Sequence, residues 1–285
     1  MLRLGGLLLL AALAACSPKP VPAEPALWEV EGTRGETAYL FGTIHTLPRP
    51  AVWRGEAVDR ALAETDRIVV EVADLANDAK MTKVFADLAR SPDQPPLSQR
   101  VSPESRKVLA ALLNKGGMTE SQFATTETWA AALMLARIGD RSEGAYGIDR
   151  AVIDAAGRKP VVELEGAARQ LGIFDALPEK EQRDLLGAIV GETANVEAEQ
   201  TRLAETWRKG DMTAIEAETH RGLLADPELR QALFTNRNRD WTERIVAMLQ
   251  RGERPFVAVG AAHMAGPEGL PAMLAARGYR VTRVQ

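Results

Sequence analysis

Two short apolar runs in this chain end in the same way, and that pairing constrains the fold more than any other feature. Ala38–Leu47 reads AYLFGTIHTL and Pro255–Met264 reads PFVAVGAAHM. Each is a β-type run that closes on Gly-x-x-His, at Gly42/His45 and at Gly260/His263. The chain has 3 histidines, so two of the three sit in one local context. A glycine at a strand end lets the backbone turn and leaves room for a ligand. A side chain three residues on then projects from the carboxyl end of the strand, where open α/β sheets bind ligands. The pair predicts a shared site for His45 and His263. One such histidine alone would carry little, since isolated examples usually cap or pack.

Two further runs resemble these. Arg67–Val72 (RIVVEV) and Lys159–Leu164 (KPVVEL) are apolar almost throughout, as strands buried on both faces are. A carboxylate terminates each, Glu71 in the first and Glu165 just after the second, with Glu163 two residues earlier on the same face. A buried carboxylate needs a partner, a proton or a metal. Leu27–Glu31 and Thr37–Phe41 read as a hairpin across Gly32–Glu36. Arg254–Val259 is the strand into the second Gly-x-x-His, and Tyr279–Val284 is a final strand. Helical periodicity occupies Gly55–Thr65, Asp74–Arg90, Pro103–Leu113, Thr126–Ile138, Arg150–Ala156, Leu177–Val190, Asn195–Lys209, Met212–Leu224, Pro227–Leu249 and Leu270–Ala276. The alternation predicts an α/β fold: a central mixed β-sheet flanked by helices, with the paired strand–Gly-x-x-His units at one cleft.

Length and composition permit one large domain or two small ones: 285 residues, 46% hydrophobic and 26% charged. A net charge of −4 gives no electrostatic footprint for nucleic acid, so no nucleic-acid partner is expected. The amino terminus is more specific. Met1–Arg3 is a short positive segment, and Leu4–Ala12 is an apolar core too short to span a bilayer comfortably. The segment ends Leu13-Ala14-Ala15-Cys16, which resembles a bacterial lipobox. The expected organisation is a lipoprotein signal peptide over 1–15, a lipidated Cys16 with a proline-rich tether over 16–25, and a folded domain over 26–285. Cys16 is the single cysteine, so structural disulfides are excluded. Ser17, rather than aspartate, follows it. By resemblance to sorted lipoproteins, the expected address is the periplasmic face of the outer membrane, reached through the lipid anchor.

Collected at the strand ends, His45, Glu71, Glu165 and His263 form a plausible ligand set for a divalent ion. An open position on such an ion would lower the pKa of bound water and polarise a carbonyl. The same residues could work without metal, with a histidine beside a carboxylate acting as general base. Gly-x-Ser-x-Gly, His-Glu-x-x-His, a P-loop and a catalytic cysteine are all missing from the sequence, which disfavours the hydrolase classes they mark. Arg237 and Asn238, in the helical segment Asn236–Trp241, could hold a substrate carboxylate or phosphate, or bond a catalytic side chain. Asp149 reads equally well as the cap of the helix that follows it, and His220 reads as a surface residue in a polar helix.

Several of these stretches, in this order and spacing, resemble the TraB/GumN family, which includes the Tiki proteins and is distantly similar to erythromycin esterases and ChaN-like proteins. The matching residues are Leu27–Val30, Leu40–His45, Val69–Glu71, Gly147–Asp149, Lys159–Glu165 with Gln170, Asn236–Asn238, Gly260–Gly266 and Gly278–Val281. The resemblance covers essentially all of Ala26–Gln285. It implies an α/β fold with both Gly-x-x-His motifs facing one cleft. Tiki proteins are described as metal-dependent proteases, which implies peptide-bond hydrolysis with manganese, cobalt or zinc. His45 and His263 would bind the metal, Glu71 or Glu165 would be the third ligand, and the other carboxylate the general base. Arg237 and Asn238 would orient a peptide or small-molecule substrate. Two alternatives stay open, a metal-free ester hydrolase with His45 as base and a non-catalytic lipoprotein that sequesters a peptide or other ligand. The chain departs from the family at Ala262, where glycine often precedes the histidine, and at Gly166, where threonine often follows the glutamate.

Overall fold

The apolar runs pair as strands, and residue alternation divides them between two cores. The computed structural model describes residues 18–139, 146–192 and 196–285. The expected signal peptide, Cys16 and Ser17 lie outside the described residues. Among the described residues the main sheet has six strands. They are β1 (Leu27–Glu31), β2 (Thr37–Thr43), β3 (Arg67–Val70), β4 (Val161–Glu163), β5 (Pro255–Gly260) and β6 (Arg280–Arg283). The order across the sheet is β4-β3-β5-β2-β1-β6. β4, β3, β5 and β2 run parallel, and β1 pairs antiparallel with both β2 and β6. The sheet is therefore mixed, as the alternating pattern predicts.

Successive residues point to opposite faces. Tyr39, Phe41, Ile68, Val70, Phe256 and Ala258 pack on one side, against helix α1 (Glu56–Glu64) and helix α2 (Ile148–Asp154). Leu40, Val69, Val257 and Val259 pack on the other, against helix α3 (Asn236–Gln250), which presents Trp241, Ile245, Met248 and Leu249, and a short helix over Leu270–Ala276. A third core lies among helices alone, around Phe123, Trp129, Leu185 and Leu186. Arg100 is buried there and donates to the carbonyls of Pro95, Phe123 and Thr126, so three loop acceptors are satisfied by one side chain.

Several boundaries differ from expectation for visible reasons. β2 continues past Phe41 because Gly42 and Thr43 keep pairing with Val259 and Gly260. β3 stops at Val70, and the carbonyl of Glu71 instead accepts from the N–H groups of Glu165 and Gly166. Lys159–Leu164 is not a doubly buried strand: β4 is short, lies at the sheet edge and is half-exposed. The segment Asp74–Arg90 divides at Asn77, whose side chain accepts from Lys80 N and starts a new helix. Met212–Leu224 ends as an α-helix at Glu218 and resumes as a 3-10 turn at Gly222–Ala225. Asp149 does not cap a helix: Gly147 is the N-cap of α2, and Asp149 lies inside the first turn.

Candidate functional site

Parallel pairing of β4, β3, β5 and β2 brings their carboxyl ends to one edge, and two polar clusters form there. The first begins on β2. The carbonyl of Gly42 accepts from the indole N–H of Trp207 at 2.9 Å, which fixes this strand end to the helix α4 (Val196–Arg208). A Cβ added at Gly42 would stand 3.0 Å from the Ala261 Cβ, so close approach of the β5 extension requires glycine here. Ile148 N donates to the carbonyl of Ile44, which docks the start of α2 beside the strand end. Asp149 is thereby delivered, buried, between Thr43 and His45. Its Oδ1 accepts from Thr43 Oγ1, and its Oδ2 lies 2.8 Å from His45 Nδ1. The His45 side chain remains 72% exposed.

Attraction to Asp149, reinforced by their hydrogen bond, raises the His45 pKa to about 9. Burial by itself would raise the Asp149 pKa, but the charge of His45 and the bonds from His45 and Thr43 outweigh it and hold the carboxyl below its usual range. At neutral pH the pair is an imidazolium facing a carboxylate.

The second cluster is built on Arg237. A π turn over Gln231–Thr235 immediately precedes α3 and carries the chain into Asn236-Arg237-Asn238, a placement common at functional sites. All five Arg237 N–H donors are engaged by protein acceptors. Nε donates to Glu165 Oε2, Nη1 to the Leu233 carbonyl and to His263 Nε2, and Nη2 to Glu71 Oε2 and Glu165 Oε1. The guanidinium also lies over the Trp241 ring, 4.6 Å from its centroid. Glu71 accepts from Gly260 N through Oε1 and from Gln170 Nε2 through Oε2. Asn238 Nδ2 donates to the carbonyls of Glu268 and His263, so its Oδ1 is turned to the His263 ring, 2.6 Å from Nδ1. This network assigns the proton to Nδ1 and leaves Nε2 to accept from Arg237. Burial pushes the His263 pKa down to about 3, so the ring is neutral.

The two carboxylates on Arg237 move in opposite directions. Burial would raise Glu71, but the charges of Arg237 and His45 and the bond from Gly260 N–H reverse it, and the net shift is downward. Burial dominates at Glu165, and its pKa rises despite the two bonds from Arg237. Gly166, next to it, has φ of +77°, and a Cβ there would meet Glu163 Oε1 at 2.6 Å. This local backbone accounts for glycine where the family often has threonine.

His45, Glu71, Gln170, Arg237 and His263 line one cleft of about 480 Å³. Glu165 does not line it: this carboxylate borders an adjoining cavity of about 700 Å³, and Arg237 borders both. Asn238 is fully buried and lines neither cavity. His220, read as a surface residue, is exposed. Reading the sequence missed three contributors. Thr43 and Trp207 carry no local signal, and Asp149 offers only its place in Gly147-Ile148-Asp149.

The donors decide the fit to a divalent ion. Glu71 and Glu165 already share the Arg237 guanidinium, both ring nitrogens of His263 are engaged, and His45 pairs with Asp149. Among the described residues no group of three or more His, Cys, Asp or Glu side chains is arranged to hold a metal. As placed, the four residues do not fit one shared ion; Arg237 would have to release both carboxylates first.

The chain is similar to the uncharacterised protein YbaP of Shigella flexneri, with 29% identity over 246 residues, covering 83% of this chain and 87% of that protein. It is similar to the same degree to the uncharacterised protein YbaP of Escherichia coli K12, with 29% identity over 245 residues and the same coverage. No solved structure matches. The TraB/PrgY/gumN family matches over residues 26–283, which span both polar clusters and every strand of the main sheet. This chain belongs to the TraB/PrgY/gumN family.

Proposed function

We propose that the protein is a cell-envelope hydrolase, anchored through lipidated Cys16 at the periplasmic face of the outer membrane, that cleaves an acyl bond of a peptide or small-molecule substrate. The observation that carries the reading is the dyad: His45 Nδ1 is held by the buried Asp149 while the exposed ring lines the cleft. In the working form the neutral His45 ring takes a proton from water as the water oxygen attacks the carbonyl carbon. The same ring then returns that proton to the departing nitrogen or oxygen. Asp149 stays ionised, orients the ring and stabilises the imidazolium. Arg237, Asn238 and His263 have their hydrogen bonds committed to the protein, so they act as positioning residues that fix the ends of β3 and β5.

Because His45 is protonated below about pH 9, kcat/KM should rise with pH and level off near that value. Water bound to a metal ion would instead titrate at about 7. The test uses the full-length chain on a panel of fluorogenic peptides and p-nitrophenyl esters, with His45→Ala and Asp149→Asn beside it. Chelator-resistant turnover that both substitutions abolish supports acid–base hydrolysis, and the panel separates peptidase from esterase. Unchanged turnover in His45→Ala would sink it.

A second reading, the divalent-metal-dependent peptidase, draws on the His263 imidazole and the two carboxylates that Arg237 gathers. Near-stoichiometric manganese, cobalt or zinc after incubation, lost in a folded His45→Ala/His263→Ala variant, would favour it. Ligand binding with no turnover would favour a sequestering lipoprotein.

A further inference from the structure

Besides the two polar clusters, the cleft is lined by five large apolar side chains, with Glu218 and Thr219 among them, both already bonded within the protein. Phe174 reaches it from the helix over Gly166–Asp175, Leu203 and Trp207 from α4, Ile215 from the helix over Met212–Glu218, and Leu224 from the 3-10 turn over Gly222–Ala225. None of these five belongs to a sheet strand, and none is needed to orient the dyad ring directly.

This wall is preformed. Arg202 on α4 makes a two-bond ion pair with Glu218 on the next helix, which holds Leu203 and Ile215 on adjoining elements. The Trp207 indole is bonded to Gly42 at the strand end, so the apolar wall and the His45 dyad share one rigid connection. A cavity of about 480 Å³ accommodates a bulky side chain beside the reacting group, in the ordinary size range of small-molecule sites. A small polar substrate would leave the five apolar side chains facing water, whereas an apolar group would displace that water favourably.

We infer that the cleft selects substrates with a bulky apolar side chain, aliphatic or aromatic, next to the scissile carbonyl, and that Phe174, Leu203, Trp207, Ile215 and Leu224 set that preference. The inference rests on the acyl-hydrolase reading for the word substrate. The preference itself is a property of binding and is tested apart from turnover.

The probes are N-acetyl-alanine amide, N-acetyl-leucine amide and N-acetyl-phenylalanine amide, titrated by ligand-observed NMR into the full-length His45→Ala chain. The leucine and phenylalanine probes should bind at least about tenfold tighter than the alanine probe, since each buried methylene is worth about fourfold. Leu203→Glu places a charge on the half-buried part of the wall and should reduce that advantage to about twofold or less. Leu224→Gln is a second, milder substitution on another element, and circular dichroism checks the folding of both. Equal binding of the three probes overturns the inference, as does a ranking that both wall variants leave intact. A ranking that holds while no peptide or ester is turned over refutes hydrolysis and leaves the apolar subsite standing. Turnover without any apolar ranking refutes the subsite and leaves hydrolysis standing.

Discussion

His45 and His263 share a Gly-x-x-His context, yet their surroundings drive their acidities apart. His45 sits at an open mouth against a buried carboxylate and holds its proton up to about pH 9. His263 lies between Phe234 and Trp241, with its ring centroid 5.2 and 4.6 Å from theirs, and burial keeps it neutral. The His45 pKa is raised, so the stability its pairing contributes is complete below the ordinary value of 6.5 and is lost as pH rises through about 9. The Asp149 pKa is lowered, so its share is present above 3.8 and is lost as pH falls further. Thermal melts should therefore show the largest difference in Tm between the parent and Asp149→Asn at about pH 5–6, closing above about pH 9. A difference that persists undiminished at about pH 10 would count against the ion pair. Arg237 is the residue with most to lose. Arg237→Met would strand two carboxylates that are 9% and 2% exposed in the parent. Urea unfolding should report a loss of about 3–5 kcal/mol, moderated if Glu165 takes up a proton. Lysine should restore little, because one ammonium cannot reproduce the five-donor fork.

Element boundaries decide where these side chains arrive. β2 needs two residues more than its apolar run to place Thr43 against Asp149, and it gains them by pairing with the end of β5. Gly42 permits that pairing at close range. In Gly42→Val the new side chain would collide with Ala261, whose Cα and Cβ lie 3.1 and 3.0 Å from the first added carbon. The expected cost is about 1–3 kcal/mol of stability, read by urea unfolding. Nuclear magnetic resonance should also show the His45 ring resonances displaced, whereas a substitution tolerated without either effect would remove the close-packing argument. The π turn before α3 is the other decisive boundary. It directly precedes the residues that gather Glu71, Glu165 and His263 onto one helix face, and nothing in Gln231–Thr235 marks it as irregular.

At the scale of the whole molecule, the strand ends with α2 and α3 supply the site, and an arm of helices that includes α4 and Met212–Glu218 supplies much of its wall. The arm is fastened at Trp207 and at the Arg202–Glu218 pair rather than left as a loose cover. No helix among the described residues is long and apolar enough to cross a membrane, and the membrane attachment proposed above is through Cys16. Expressed full-length in a bacterial envelope, the parent should sediment with membranes and be released by detergent. Cys16→Ser should move to the soluble fraction, and its retention in the detergent-released fraction would argue against the lipid anchor.

The sequence by itself determined where the central strands lie, though not that Lys159–Leu164 forms only a short, half-exposed edge strand. Apolar runs at Thr37–Phe41, Arg67–Val72 and Arg254–Val259 have few other folded solutions. It also marked the chemistry at the strand ends, because glycine, histidine and glutamate are conspicuous after apolar runs. It could not decide the partners. Asp149 lies 104 residues from His45 and Arg237 lies 166 from Glu71, and these pairings follow from strand order and helix docking, which local patterns do not encode. The protonation of each histidine was likewise beyond local reading, since identical motifs became a charged and a neutral ring. Burial and a carboxylate supplied by a distant helix made that difference, and both exist only once the chain has packed.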